Sequence, residues 1–164
     1  MSKIKISILI PAFNYKTGIN KIIRCLMLSD KSIRKNIEVI ISDDSENPII
    51  DSNLDKDFNK SFGNFQYIKN KQALGAIANW NKLISMAKGE YYWLLHHDEY
   101  WKKNKDLIKY ILRIINTKTP NLIIIPIKKE RSIQLNNLNF RAIQNHISNK
   151  DIIKKFLTNS KLLM

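Results

Sequence analysis

Short β-branched runs alternate with segments of helical period along this chain, and that alternation limits the fold more than any other feature. Ile4–Ile10 is an apolar run stopped by Pro11 and reads as a first strand. Thr17 can cap a following helix whose apolar positions Ile19, Ile22, Ile23 and Leu26 recur at helical spacing. Ile37–Ile41 is a second strand, closed by Ser42-Asp43-Asp44-Ser45. Residues 46–64 are polar and show no clear period, and a short helix within a loop is one reading of them. Phe65–Ile68 reads as a third strand. Leu74, Ile77, Ala78, Asn81 and Ile84 then form one stripe of a helix, with Gly89 as its C-terminal stop. Glu90–Leu95 is a fourth strand, Leu107–Ile115 lies in another amphipathic helix, and Leu122–Ile125 is a fifth strand. Ser148 or Asn149 can cap a last helix running to Leu157. Strands that alternate with helices imply a mostly parallel α/β sheet with helices on both faces. No repeat or low-complexity linker divides the 164 residues, so one domain is expected over 1–164.

Composition narrows the class. A chain that is 44% hydrophobic and 26% charged fits an ordinary globular protein. Cys25 is the only cysteine, which rules out an intrachain disulfide and fits a reducing compartment. Its place in a periodic apolar segment makes it a core residue rather than a nucleophile. Met1–Ile10 lacks the apolar region and cleavage site of a secretion signal, and no stretch reaches the ~18 apolar residues of a spanning helix. The expected location is the cytoplasm, free or peripheral at the inner face of the cell membrane. The net charge of +14 is uneven: residues 1–100 carry +3 and residues 101–164 carry +11. A basic half can attract anionic lipid headgroups, phosphorylated substrates or nucleic acid. A general bias toward Lys, Ile and Asn explains the same charge as solvated lysines. No zinc-finger spacing, RNP-type aromatic motif or helix-turn-helix pattern supports nucleic-acid recognition.

The densest cluster of chemistry follows the fourth strand. Tyr91-Tyr92-Trp93-Leu94-Leu95 runs straight into His96-His97-Asp98-Glu99. Such polar groups belong where a buried strand emerges at the sheet edge, and the carboxyl edge of an α/β sheet is where ligands bind. If the segment stays extended, His96 and Asp98 share one face while His97 and Glu99 share the other. An imidazole and a carboxylate on one side can hold a divalent cation, with water or phosphate oxygens completing it. A strand end leading into a helix cap, its charges solvated, is the alternative.

Three further groups fall at strand ends. Pro11-Ala12-Phe13-Asn14 offers a ring that can stack on a base and an amide that can both donate and accept, or simply a turn. Asp43-Asp44 offers a carboxylate to a base or ribose, or an acidic turn. Between Asn70 and Asn81, Gly75 allows close backbone approach, a helix N-terminus there could face phosphate, and Asn79 and Asn81 occupy helix positions that asparagine does not favour.

In order and spacing these motifs resemble the family 2 glycosyltransferases of the GT-A, Rossmann-like fold. The resemblance is carried by Ile6-Ser7-Ile8-Leu9-Ile10-Pro11-Ala12-Phe13-Asn14, by Glu38-Val39-Ile40-Ile41-Ser42-Asp43-Asp44-Ser45, and by Asn70, Leu74-Gly75 and Asn79-Trp80-Asn81. It continues through Ala87-Lys88-Gly89-Glu90-Tyr91 to the His96–Glu99 cluster, about residues 4–101 in all. The resemblance implies a nucleotide-diphospho-sugar donor, a UDP-sugar by expectation, with Mn²⁺ or Mg²⁺, and a glycan or lipid-linked acceptor. It implies that Phe13 lies near the base with Pro11 and Asn14 shaping the pocket, and that Asp44, with Asp43 beside it, contacts base and ribose. It places Asn70, Gly75 and Asn79 along the sugar-nucleotide cleft. The family's Asp-x-Asp metal motif aligns with His96-His97-Asp98, so Asp98 keeps the metal position and His96 replaces the first acid. A neutral histidine still ligates metals.

Family members continue well past this length, so residues 102–164 are expected to be a basic, incomplete acceptor side. Inverting transfer needs a base within hydrogen-bond reach of the acceptor hydroxyl. After Trp101 the only acids are Asp106, Glu130 and Asp151, and none is nominated. Two readings stand: a glycosyltransferase that builds surface polysaccharide or glycolipid, impaired by truncation, or a non-catalytic nucleotide-sugar-binding module.

Overall fold

The computed structural model describes residues 4–101, 106–120, 122–124 and 141–143. The chain divides into two compact units, Met1–Tyr110 and Ile111–Met164. In the first, β1 (Ile6–Ala12), β2 (Ile37–Asp43), β3 (Phe65–Lys69) and β4 (Tyr91–Leu94) form one sheet in the order β3-β2-β1-β4. Every pairing in it is parallel. The helices are α1 (Lys16–Met27), α2 (Lys31–Arg34), α3 (Ser52–Phe62), α4 (Ala76–Met86) and α5 (Leu107–Lys118). From β1 to β3 the chain steps one way across the sheet, and then α4 carries it back past β2 and β1 to β4. With right-handed crossovers, that reversal puts α4 on the face opposite the earlier helices.

Both faces of the two central strands are therefore covered, which is why β1 and β2 are buried throughout and read as apolar runs. Leu9 and Ile40 face Leu83 of α4 in one fully buried cluster. Their neighbours Ile8, Ile10, Val39 and Ile41 alternate to the other face and are equally buried.

Several boundaries differ from the sequence reading. β1 does not stop at Pro11 but pairs on to Ala12. Leu9 O accepts from Leu95 N at 3.0 Å, so Pro11, two residues on, presents its backbone to the β4 side. β4 has already ended there, and the missing N–H costs no ladder bond. Thr17 does not cap α1, which begins one residue earlier after Tyr15 without a side-chain cap. The ambiguous stretch contains α3, an eleven-residue helix capped by the Asp51 carboxylate, which accepts from Leu54 N. The fifth strand, β5 (Leu122–Ile124), pairs antiparallel with β6 (Arg141–Ile143) in a sheet of its own rather than extending the parallel one. The helix expected before Leu157 lies outside the described residues. Among the described residues no helix is long and apolar enough to cross a membrane.

Gly89 proves to be a packing residue, since α4 already ends at Met86. A Cβ on Gly89 would stand 2.6 Å from Ser7 N and 2.9 Å from Ile6 C, both backbone atoms that cannot yield. A buried polar pair sits beneath this turn: Ser7 Oγ donates to Glu38 Oε2 at 2.6 Å and accepts from Gly89 N at 2.8 Å. The same carboxylate oxygen accepts from Lys88 N. Gly89→Ala should therefore lower the unfolding free energy by about 2 kcal/mol or more, read by urea denaturation. A change under about 0.5 kcal/mol would mean that the turn is loosely packed.

Candidate functional site

The carboxyl edge of the sheet gathers most of the polar residues singled out above. It is built in two layers. Beneath lies a buried hydrogen-bond network, and above it stand exposed side chains that have few or no partners.

Asp43, at the end of β2, is fully buried. Its Oδ1 accepts from Ser45 N at 2.9 Å, and its Oδ2 accepts from Ile49 N at 3.2 Å and Tyr67 OH at 2.6 Å. Burial and the adjacent Asp43 carboxylate push the Tyr67 phenol well above its ordinary range, so it stays a donor. Asp43 thus folds the loop after β2 and ties it to β3. Asp44 points elsewhere. Its Oδ1 accepts from Asn70 Nδ2 at 2.6 Å and its Oδ2 from Gly75 N at 3.0 Å, so it caps the start of α4 from a different strand. Asn70 Oδ1 in turn accepts from Lys82 Nζ. A carboxylate at one end of this amide and an ammonium at the other fix its orientation. Asn79 Nδ2 donates to Ser42 O at 3.0 Å, which explains an asparagine inside a helix: it closes α4 onto β2. Asn70, Asn79, Asp43 and Asp44 are all buried and serve as bracing in this arrangement.

Gly75 adopts φ +80°, ψ 160°, a region glycine enters freely and other residues rarely do. The space where its side chain would stand is open, with nothing within 4 Å. Around this opening the exposed layer begins. Phe13 is 54% exposed, and Leu74 and Ile77 are exposed beside Gly75. Asn14 turns the chain from β1 into α1 at φ 49°, a left-handed conformation asparagine tolerates, and its N–H donates to Ser45 Oγ at 2.7 Å. Pro11 is buried below them.

The His96–Glu99 segment is a turn, which removes the premise that its side chains alternate. Glu99 N donates to His96 O at 3.0 Å, and the Glu99 carboxylate folds back to accept from His96 N at 3.2 Å. The two imidazoles diverge: His96 meets Trp80 of α4 edge-on at 4.9 Å between centroids, and His97 meets Tyr15 at 5.7 Å. Asp98 sits exposed at the tip and makes no hydrogen bond or ion pair among the described residues. A Cβ on Gly18 would stand 2.1 Å from His97 O, so α1 seats directly against this turn. Beyond it, Lys21 Nζ donates to Tyr100 OH and lies over its ring, and the buried Cys25 thiol donates to Trp101 O. Burial pushes the Cys25 pKa up, so the thiol stays protonated and packs as a core residue.

Among the described residues no three His, Cys, Asp or Glu side chains come close enough to hold a metal by themselves. The donor set nevertheless suits a cation that arrives with a ligand. Mg²⁺ and similar ions bind through one or two protein groups and take the rest from substrate phosphates and water. Asp98 and His96 are of the type such a site needs.

Tyr67, Lys82 and Trp80 shape this edge, and the sequence reading gave none of them a role. Tyr67 shares a face with Asp43 because its register partner is Ile41, a pairing that only the folded sheet shows. Trp80 carries a signal only as part of the Asn79-Trp80-Asn81 motif of the resemblance, and Lys82 carries none beyond its helix.

A sequence model described as Glycosyl transferase family 2 matches residues 7–159. No curated protein sequence matches the chain. Among solved structures, S. aureus TarS 1–349 is similar at 20% identity and TM-score 0.64, over 82% of this chain and 39% of that one. The same TarS fragment in complex with UDP-GlcNAc is similar at 23% identity and TM-score 0.54, over 69% and 31%. A mannosyltransferase from Pyrobaculum calidifontis in complex with GDP-Man and Mn²⁺ is similar at 15% identity and TM-score 0.57, over 73% and 34%. The chain thus spans well under half the length of these structures, and the likeness is one of fold.

Proposed function

Since the chain belongs to glycosyl transferase family 2, we propose that it binds a nucleotide-diphospho-sugar, a UDP-sugar, at the carboxyl edge of its sheet and transfers the sugar to a glycan or lipid-linked acceptor. One observation supports this above the others: exposed Phe13 and exposed Asp98 follow neighbouring strands, β1 and β4, on either side of the point where the strand order reverses. In open α/β sheets that crevice takes nucleotides. The complexes of similar folds with UDP-GlcNAc and with GDP-Man and Mn²⁺ are consistent with the same use here.

In this reading each residue has a defined task. Phe13 stacks on the base, with Asn14 and Pro11 fixing its position. Asp44 and Asp43 hold the loop that faces base and ribose, while Asn70, Gly75 and Asn79 keep the start of α4 open beside the sugar diphosphate. Asp98 and His96 hold Mn²⁺ or Mg²⁺. When bound, that ion neutralises charge developing on the leaving diphosphate. Inversion at the anomeric carbon is the family expectation, and no base is assigned among the described residues. We also propose that residues 1–164 form one glycosyltransferase domain, because the family match runs across both units.

Binding without turnover is the second reading. His96 in place of the first acid of the metal motif favours it, since a neutral imidazole brings less charge to a cation than a carboxylate does. Incubation with UDP-GlcNAc or GDP-Man, with and without Mn²⁺, separates the two by the nucleoside diphosphate released. Mn²⁺-dependent release supports the transferase, binding alone supports the module, and neither would sink both. Phe13→Ala should weaken UDP binding about tenfold while leaving the unfolding midpoint unchanged, because the ring is exposed and its stacking is worth about 1–3 kcal/mol. Unchanged affinity by calorimetric titration would remove Phe13 from the base site.

A further inference from the structure

At the other end of α1 the surface carries a second feature unrelated to donor binding. Met27 is 37% and Leu28 49% exposed, at the last turn of the helix and its cap. They are held outward by design of the turn rather than by fraying. The buried Arg34 guanidinium donates to Met27 O at 2.7 Å and to Ser29 O at 2.9 Å, and Ser29 Oγ donates back to Leu26 O. Two large apolar side chains thus stand side by side on a hydrogen-bonded, exposed turn.

Basic side chains flank them. Arg24 lies one turn before Leu28 on α1, and Lys31 opens α2 just after it. The chain beyond β4 runs along α1 in step, Tyr100 meeting Lys21 and Trp101 meeting Cys25. The Asp30 carboxylate, its pKa held down chiefly by its hydrogen bonds from Ser32, also feels the charge of Lys109 near the start of α5. Arg24, Lys31 and Lys109 against Asp30 leave the patch net positive.

We infer that this turn, with Met27 and Leu28 at its centre and Arg24, Lys31 and Lys109 around them, is a docking surface for an anionic lipid membrane. Apolar side chains inserted at the headgroup boundary, with lysines and arginines on anionic lipids, are the pattern of interfacial binding. The overall charge of +14 adds a long-range attraction to such a surface. A nucleic acid would use the charges but leaves Met27 and Leu28 without a partner. A second copy related by a two-fold axis would set the same basic residues against each other. Because α1 starts at the donor edge and ends here, roughly 18 Å away for its twelve residues, contact would tether the protein and leave the donor edge uncovered.

Cosedimentation of the purified chain with vesicles tests this. The expected result is binding to vesicles of phosphatidylglycerol and phosphatidylcholine in equal parts, little binding to phosphatidylcholine alone, and release by rising salt. Lys31→Gln and Lys109→Gln should each weaken it about fivefold. Leu28→Asp should weaken it more than tenfold, with the far-ultraviolet circular dichroism of each variant unchanged. Equal binding to both vesicles, no binding to either, or full binding by Leu28→Asp would overturn the inference. So would retention on a DNA oligonucleotide in place of vesicles, undiminished in Leu28→Asp.

Discussion

Asp43→Ala should lower the unfolding free energy by about 4 kcal/mol, the largest stability effect expected of any single change at the sheet edge. The carboxylate is fully buried and accepts from Ser45 N, Ile49 N and Tyr67 OH. Alanine leaves two backbone N–H groups and a phenol without their acceptor and opens a void besides. Since the loop after β2 depends on these bonds, the nucleotide edge should loosen with it, and UDP affinity should fall together with stability. Asp43→Asn keeps an acceptor for some of the three donors, so its loss should be smaller. Urea unfolding reads both variants. A loss below about 1 kcal/mol for alanine would show that the network is not what holds the loop.

Asp98→Ala should abolish the dependence of donor binding on Mn²⁺ while hardly moving the unfolding midpoint. The side chain is exposed at the tip of the His96–Glu99 turn and braces nothing among the described residues. The turn itself is closed by Glu99, not by Asp98. Loss of the carboxylate we assign to the cation leaves His96 as the only other protein ligand we assign, too little to hold Mn²⁺ between the chain and a diphosphate. Asp43 and Asp98 therefore separate the two layers of the edge: one change costs stability and binding, the other binding alone.

How far the sequence carried differs from element to element, for physical reasons. β1 and β2 are legible because strands buried on both faces show unbroken apolar runs, β4 because of its aromatic run, and the position of the edge follows from where those runs end. β1 and β2 run past the ends read from the sequence, where Pro11 and Ser42-Asp43 look like breakers. Each continues the ladder, Pro11 because no neighbour needs its N–H and Asp43 because its charge is fully hydrogen-bonded. α3 stayed ambiguous because its sequence is mostly polar, although Asp51 before it and Gly63 after it, at φ 38°, are ordinary caps. The polar residues of these motifs gather at one edge of the sheet, but the difference between bracing and exposed members is hidden in the sequence. Asp43 finds Tyr67 24 residues away and Asp44 finds Gly75 31 residues away, and only the folded register brings such partners together. The His96–Glu99 turn was missed because an extended continuation of β4 fits the same letters.

Calorimetric titration of UDP into the purified chain, with and without Mn²⁺ and repeated on Asp98→Ala, tests the central claim most directly. The account predicts that UDP binds the wild type more tightly with Mn²⁺ present and that Asp98→Ala loses the gain while remaining folded. UDP binding that ignores Mn²⁺ in the wild type, or a gain that survives in Asp98→Ala, would contradict it.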